Sequence, residues 1–354
     1  MTGQGSTKRS TVRYFTAAFA VTGGGLALAA LVGWRYTNSP VGALTFFVIC
    51  ALLAVLEISL SFDNAIVNAN KLKSMRPEWQ RRFLTWGILI AVFGMRIVFP
   101  ILIVVVAAGI GPVDAVVLAV TSPEKYSRLL HDAHLPISAF GGTFLLMVGL
   151  NYFFDHEKDT HWMHWLEERM ARSATIKGIE IAIVLLVAVG FSRLLGHADR
   201  PVFIQASMFG LLTYLCVEVA SEIIDSRGKA PRAIAGGGFG AFLYLEVLDA
   251  SFSFDGVIGA FALSQNIFII AIGLGIGAMY VRSMTIMLVQ RGTLSEYRFL
   301  EHGAFYAIIV LAVVMYMQSL IHIPEVITGL AGGSLIAIAF WSSIRWRKKN
   351  GQEG

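Results

Sequence analysis

Charged residues and cysteines are both scarce in this chain of 354 amino acids. Only 14% of the residues are Asp, Glu, Lys or Arg, whereas 56% are hydrophobic and the mean hydropathy is +0.68. Soluble domains carry about 25% charged residues, so this composition excludes an ordinary soluble domain and indicates a polytopic helical membrane protein. The two cysteines, Cys50 and Cys216, lie in different apolar segments, which excludes a disulfide framework.

The net charge of +5 does not indicate a nucleic-acid partner. Lys and Arg cluster in short loops between apolar segments, which is the pattern that orients helices in a bilayer. Basic clusters precede the first apolar segment, follow the second and the sixth, and close the chain at residues 345–349. Both termini are therefore predicted to be cytoplasmic, in a bacterial-type inner (plasma) membrane.

A hydropathy window of about 19 residues identifies about ten segments that are long enough to cross a bilayer. They cover residues 14–33, 42–68, 83–109, 138–154, 176–195, 202–223, 240–264, 267–289, 303–320 and 325–344. The apolar tract 113–120 is too short to cross, so residues 111–137 are interpreted as a long loop with an interfacial piece. An even number of spans agrees with the charge pattern, which places both termini on one side.

Two of these segments carry the same acidic motif. Residues 57–66 read Glu-Ile-Ser-Leu-Ser-Phe-Asp-Asn-Ala-Ile, and residues 249–258 read Asp-Ala-Ser-Phe-Ser-Phe-Asp-Gly-Val-Ile. An ionised side chain at the bilayer centre costs about 2.5–3.5 kcal/mol on insertion scales, so acids repeated at one spacing indicate a function. The motifs therefore predict a site for a cation or a proton near the middle of the membrane.

An arginine follows each motif in the next span, Arg96 in the third and Arg282 in the eighth. Ten spans divided into two sets of five give halves of opposite orientation, an arrangement common among secondary transporters. The sequence thus predicts an all-α transmembrane helical bundle with an inverted five-plus-five repeat. Its parts are a cytoplasmic tail at 1–12, a first half at 13–195, a second half at 196–345 and a basic tail at 346–354.

The spacing within each motif predicts broken helices. Two acids six residues apart are turned away from each other on a helix with 3.6 residues per turn. A break near Asp63 and near Asp255 would let both carboxylates of a motif face one cavity, as in the broken helices of transporters. Asn64 and Gly256 tolerate the backbone angles that such a break needs.

The predicted site is made of oxygen donors. Such hard ligands suit Mg²⁺, Ca²⁺ or Mn²⁺, and a carboxylate that binds a cation in one state can carry a proton in another. Alternatively, each acid pairs with an arginine only to hold the helices together. The predicted metal ligands are Glu57, Asp63, Asn64, Asp249 and Asp255, and the supporting residues are Ser61, Ser253, Glu246, Arg96, Arg282 and Glu218.

These motifs resemble the TerC (tellurium-resistance protein C) family of integral membrane proteins over most of residues 40–345. The strings 57–65 and 246–256 are most similar to a branch described mainly as a domain of unknown function. The resemblance implies metal-ion transport, most often manganese export, with a link to tellurite resistance. It is carried by Glu57 to Asp63 with Asn64, by Asp249 to Asp255, by Arg282 with the apolar run after it, and by His322-Ile323-Pro324.

The chain also departs from the main TerC pattern. Gly256 follows the second acid, Glu246 lies one turn before Asp249, and there are extra spans. These departures leave open which ion is carried, with Mn²⁺ favoured over Ca²⁺ or Mg²⁺. The ion is cargo, and no permanently bound cofactor is expected.

Two glutamates in apolar segments allow two interpretations each. Glu218 and Glu222 either line an entry or exit path near the cytoplasmic end, or Glu222 and Asp225 are only interfacial charges beside Arg227. Glu246 either widens the cation site or relays a proton to it, since intramembrane acids are usually functional. Glu218 and Glu246 are supporting residues of the predicted site.

The segment 155–172 is rich in histidine and in alternating charges. His156, His161 and His164 lie there, together with charged residues such as Glu167. Mixed charge of this kind is typical of a solvated amphipathic connector, so no site is predicted in this segment.

Two other classes of function stay open. An intramembrane aspartyl-type enzyme would use two neighbouring aspartates, but neither His-Glu-x-x-His nor Gly-x-Ser-x-Gly occurs in the chain. A non-transporting membrane partner in metal or tellurite stress response is the other alternative. The hypothesis adopted is a secondary transporter, not an enzyme, whose partners are a divalent metal ion and the lipid bilayer.

Overall fold

The computed structural model describes residues 11–87, 89–155, 160–173, 176, 178–226, 238–321 and 323–350. Every regular element in these residues is a helix, which confirms the predicted all-α class. The α-helices are α1 (Thr11–Thr37), α2 (Pro40–Leu60), α3 (Phe62–Ser74), α4 (Pro77–Arg82), α5 (Phe99–Ala108), α6 (Pro112–Thr121), α7 (Pro123–Asp132), α8 (His134–Phe153), α9 (His164–Ser173), α10 (Ile179–Ser192), α11 (Asp199–Ser226), α12 (Phe239–Leu263), α13 (Ile267–Arg291), α14 (Thr293–Glu296), α15 (Leu300–Gln318) and α16 (Glu325–Asn350). Two π-helical segments, Phe83–Gly87 and Ile90–Val98, lie between α4 and α5.

Seven of the described helices are long and apolar enough to cross a membrane. An eighth crossing is present if the pair Pro77–Gly87 and Ile90–Val106, bent by 43°, counts as one span. Such a set of helices is typical of a multi-pass membrane protein. The seven are Thr11–Thr37, Pro40–Leu60, His134–Phe153, Asp199–Ala220, Ile267–Arg291, Leu300–Gln318 and Val326–Asn350.

Two of the ten predicted spans fall short by length or composition. Helix α10 has 14 residues, or about 21 Å at 1.5 Å per residue, which is less than the hydrocarbon core of about 30 Å. Helix α12 has 25 residues, but every stretch of 18 residues within it contains the same three acids, Glu246, Asp249 and Asp255. The inverted repeat, with its halves at 13–195 and 196–345, stays a prediction.

Residues 111–137 are mostly helical, so their interpretation as a loop was wrong. Pro112 and Pro123 stand at the beginning of α6 and α7, where the missing proline N–H costs no hydrogen bond. Tyr126 of α7 is fully buried and contacts Phe261 of α12, with ring centroids 5.8 Å apart. Helices of 10 residues are too short for a window of about 19 residues to identify.

The first acidic motif contains the predicted break. Helix α2 ends at Leu60 and α3 begins at Phe62, and Ser61 between them has φ −102° and ψ 19°. At the second motif, α12 continues from Phe239 to Leu263, so the prediction of a break near Asp255 was wrong. A continuous helix keeps its backbone hydrogen bonds and frees no carbonyl for a cation.

Helix α13 is the central element around the motifs. It packs against α1, α2, α3 and the second π-helical segment. Gly273 permits the close approach of α2, because a Cβ there would lie 2.7 Å from Leu53 Cβ. Asn266 caps the N-terminus of α13 by accepting from two backbone N–H groups, and Gly292 ends the helix at φ 65°.

Candidate functional site

Two cavities meet at Glu57, and residues of the acidic motifs line both. The Asn64 cavity lies among α2, α3, α12, α13 and the π-helical segments. The Asp63 cavity lies among α2, α3, α12, α15 and α16. The polar residues that line the Asn64 cavity are Glu57, Asn64, Asn68, Arg96, Glu246, Asp249, Arg282 and Thr285. The residues that define the Asp63 cavity are Glu57, Ser59, Ser61, Asp63, Gly256 and Gly332.

Glu57 is fixed in position from several sides and is 5% exposed. Arg96 donates a hydrogen bond to its Oε1, and Ser61 Oγ donates to the same oxygen at 3.3 Å. The other oxygen faces the second motif, since a Cβ on Gly256 would lie 2.9 Å from Oε2. A Cβ on Gly277 would overlap the Glu57 side chain. Glu57 therefore presents one oxygen to Arg96 and the other to the second motif.

A direct hydrogen bond joins the two motifs. Asn64 Nδ2 donates to Asp249 Oδ1 at 2.7 Å, and both residues are at most 9% exposed. Because an ionised carboxylate only accepts, Asn64 turns its amide nitrogen to Asp249 and its carbonyl oxygen elsewhere. That carbonyl oxygen is buried without a hydrogen-bond partner among the described residues.

Three residues of the Asn64 cavity carry such an unsatisfied oxygen. Oδ1 of Asn64, Oδ1 of Asn68 and Oε1 of Glu246 are all buried and find no partner in the described part of the chain. A buried acceptor without a hydrogen bond costs about 1–3 kcal/mol. Either a bound cation or ordered water would satisfy these oxygens. The cavity thus has the character of a binding site.

The two arginines have different roles around this cavity. Arg96 pairs with Glu57 and also donates to the carbonyl oxygen of Ala91. Arg282 lines the same cavity but donates to the carbonyl oxygen of Leu84. The expected pairing of arginine with acid is therefore found for Arg96 and not for Arg282, among the contacts that the structure describes.

Asp63 belongs to the other cavity, although it is next to Asn64 in sequence. It begins the first turn of α3, where its Oδ1 accepts the backbone N–H of Asn64 at 2.8 Å. A negative charge at this end of a helix is favoured by about 0.3–1 kcal/mol. Its Oδ2 faces α16, since a Cβ on Gly332 would lie 3.6 Å away. Because consecutive residues on a helix are turned about 100° from each other, Asp63 and Asn64 face different cavities although they lie on the same helix.

Two further predicted residues, Ser253 and Glu218, line neither cavity. Ser253 is buried, and Glu218 is exposed on α11. The side chain of Asp255 and the whole of His322 lie outside the part of the chain that the structure describes.

The described carboxylates do not converge on one point. Among the described side chains, no three His, Cys, Asp or Glu residues form a group that could hold a metal ion. Glu57 and Asp63 line the Asp63 cavity together, as the predicted break allows, whereas Asp249 lines the Asn64 cavity. The three described motif carboxylates, Glu57, Asp63 and Asp249, therefore do not form a single metal site by themselves. The buried oxygens without a hydrogen-bond partner belong instead to two amides and one carboxylate.

Sequence reasoning missed Asn68, which lines the Asn64 cavity and is 4% exposed. It follows Asn64 by four residues, so the two amides lie on one face of α3. The signal was present, because Asn68 is a second amide one turn after the motif and is flanked by the apolar Val67 and Ala69.

A second buried polar cluster contradicts the interpretation of residues 155–172 as solvated. Glu167 is 1% exposed. Its Oε1 accepts from Tyr306 Oη at 3.0 Å, and its Oε2 lies 3.5 Å from His161 Nδ1 and 3.4 Å from His302 Nε2. His302 Nε2 is also 2.7 Å from the carbonyl oxygen of Thr160 and donates to it. The partners from α15 are distant in sequence, so the local charge pattern gave no sign of them.

His164 does not contact Glu167 in the described part of the chain. His164 is 73% exposed, with Nδ1 3.6 Å from Glu168 Oε1. His156 lies outside the described residues. The solvated interpretation thus holds for His164 alone among the histidines that the structure describes.

Comparison with known proteins shows a family. A family model described as "Protein of unknown function (DUF475)" matches residues 62–350, which include Asp63, Asn64 and the whole second motif. Searches of curated proteins and of solved structures found no match. The relation to the TerC family stays a resemblance. The chain belongs to the DUF475 family.

Proposed function

We propose that this member of the DUF475 family is a secondary transporter of divalent metal ions and not an enzyme. The observation that carries the proposal is the buried hydrogen bond between Asn64 and Asp249, which joins the two acidic motifs beside unsatisfied oxygens. Acids in membrane segments are expensive and usually mark an ion pathway. Two acid-bearing segments that meet inside a helical bundle fit a transporter better than a structural pairing.

The chemistry of the Asn64 cavity favours a hard cation. Its polar lining offers amide, carboxylate and hydroxyl oxygens beside two arginines, and it contains neither cysteine nor histidine. Oxygen donors suit Mn²⁺, Mg²⁺ or Ca²⁺, whereas sulfur and imidazole donors favour zinc or copper. We favour Mn²⁺ and export, on the TerC resemblance. The ion is the cargo of the protein, which we place in a bacterial inner membrane with both termini cytoplasmic.

The two cavities suggest how access alternates. They lie on either side of Glu57, and the pair of Glu57 with Arg96 stands between them. A cation that reaches Glu57 competes with Arg96, which acts as a built-in countercharge when no cation is present. We propose that rocking of the two halves exposes the cavities in turn. Protons moving in the opposite direction would neutralise the acids after release.

The test is metal flux into proteoliposomes that contain an internal pH dye. Mn²⁺, Ca²⁺, Mg²⁺ and Zn²⁺ are compared for the wild type and for Asp63→Asn, with Glu168→Gln as a control because Glu168 is exposed outside the cavities. We expect selective flux that Asp63→Asn abolishes and Glu168→Gln preserves. Absence of flux for every ion, from folded protein under pH gradients of both signs, would contradict the proposal.

A further inference from the structure

Building on the transport function proposed above, we propose that Asn68 is a cation ligand in the Asn64 cavity. It forms a half-site for a hard divalent cation together with Asn64, Glu246 and Asp249. Asn68 and Glu246 lie outside the duplicated motifs. The half-site is therefore more than a meeting of the two motif copies.

The four residues form two facing pairs. Asn64 and Asn68 are four apart on α3, and Glu246 and Asp249 are three apart on α12. Residues at these spacings lie on one face of a helix, about 5–6 Å apart at Cβ. The hydrogen bond from Asn64 to Asp249, at 2.7 Å, holds the two pairs against each other.

The unsatisfied oxygens make this arrangement a site and not merely a polar contact. Asn68 is 4% exposed and Glu246 is 7% exposed, and both line the cavity. Each has a buried oxygen without a hydrogen-bond partner in the described residues, as has Asn64. The Nε groups of Arg96 and Arg282, which also line the cavity, are buried without partners too. The three oxygens suit a cation, which binds to electron-donating ligands.

The charges in the cavity agree with binding that is reversible. Glu246 and Asp249 form no ion pair with another described residue. When both carboxylates are ionised, their charge matches that of a divalent cation. Arg282 lines the same cavity and donates to a backbone carbonyl, so its charge repels the cation without displacing it from the acids. Because a carrier must release its cargo, a weaker affinity for the cation, caused by the charge of Arg282, favours transport.

The test measures Mn²⁺ binding to the purified full chain by equilibrium dialysis. Asn68→Leu keeps the approximate size of the side chain and removes the oxygen. Asn70→Leu is the matched control, because Asn70 is on the same helix and lines neither cavity. We expect Asn68→Leu to raise the Kd for Mn²⁺ at least about tenfold, as loss of a group that supports a metal site does. Asn70→Leu is expected to leave the Kd unchanged.

Two further variants keep the test decisive if Asn68→Leu does not fold. Asn68→Asp adds a carboxylate and is expected to lower the Kd, and Arg282→Gln removes a repelling charge and is expected to do the same. Wild-type binding that Asn68→Leu or Asn68→Asp leaves unaltered would show that water satisfies the amides, and it would overturn this inference alone. Folded wild-type protein that neither binds nor carries a divalent cation would overturn the proposed function as well.

Discussion

The two acidic motifs have nearly the same residues but differ in the conformation of their helices. The first breaks at Ser61, whereas the second lies in the continuous helix α12. The serines Ser59 and Ser251, which occupy equivalent positions, make the same kind of hydrogen bond, and Ser61 makes a different one. Ser61 donates to the Glu57 side chain, whereas Ser59 and Ser251 both donate to the backbone carbonyl four residues earlier. A repeated motif thus does not impose one backbone conformation.

The contacts of each copy explain the difference. In the first copy, Arg96 and Ser61 hold Glu57, and Asp63 starts a new helix. In the second copy, Gly256 stands where the first has Asn64, and it leaves room for the Glu57 oxygen. The helix break therefore lies in the first copy, and the first copy packs against the continuous helix α12 of the second copy. Substitutions in each copy test this division.

The largest expected effect is that of Arg96→Met. Removing one partner of a buried ion pair leaves Glu57 unpaired, which costs about 3–5 kcal/mol in free energy of unfolding. Adding Glu57→Gln is expected to recover much of this loss, because the buried charge is then gone. Unfolding in detergent mixtures with increasing SDS measures both variants. Equal loss in the single and double variants would show that Glu57 does not depend on Arg96.

The second prediction breaks the contact between the copies. Asn64→Ala removes the hydrogen bond to Asp249, and bonds to charged groups contribute about 1.5–3 kcal/mol. The same unfolding measurement is expected to show a loss in this range. Asn70→Ala serves as the control on the same helix. A loss no larger than that of the control would mean that the hydrogen bond does not join the motifs.

The third prediction makes the second copy more like the first. In Gly256→Ala the new Cβ would lie 2.9 Å from Glu57 Oε2, so the carboxylate must shift. Helix stability gains up to about 1 kcal/mol from alanine, so we expect reduced flux without a matching loss of stability. Gly190→Ala, with nothing within 4 Å of the added Cβ, is expected to leave flux unchanged. Unchanged flux in Gly256→Ala would contradict the placement of Glu57.

The smallest expected effect is a difference in thermal stability between substitutions of Ser61 and Ser253, which occupy equivalent positions in the two motifs. Ser61→Ala loses a hydrogen bond to Glu57, which contributes about 0.5–1.5 kcal/mol. Thermal unfolding is expected to show a lower Tm for Ser61→Ala than for Ser253→Ala. If both variants lower the Tm equally, the break at Ser61 is not stabilised by this contact.

The sequence predicted those features of the site that depend on composition and local spacing. The acids, the break at Ser61 and the arginine that pairs with Glu57 follow from buried charge and helical period. Asn68 was missed because it lies outside the duplicated motif, although its spacing from Asn64 places both amides on one helix face. Glu167 was missed because its partners His302 and Tyr306 come from a distant helix. Contacts between residues that are distant in sequence cannot be predicted from a local pattern of residue types.

The most direct measurement is anomalous scattering from crystals of the full chain grown with Mn²⁺. The account predicts a manganese peak in the Asn64 cavity, beside Asn64, Asn68 and the acids of α12. A peak there would locate the cation where the two motifs meet. A cavity filled only with water, or manganese bound solely at the Glu167 cluster, would contradict the account.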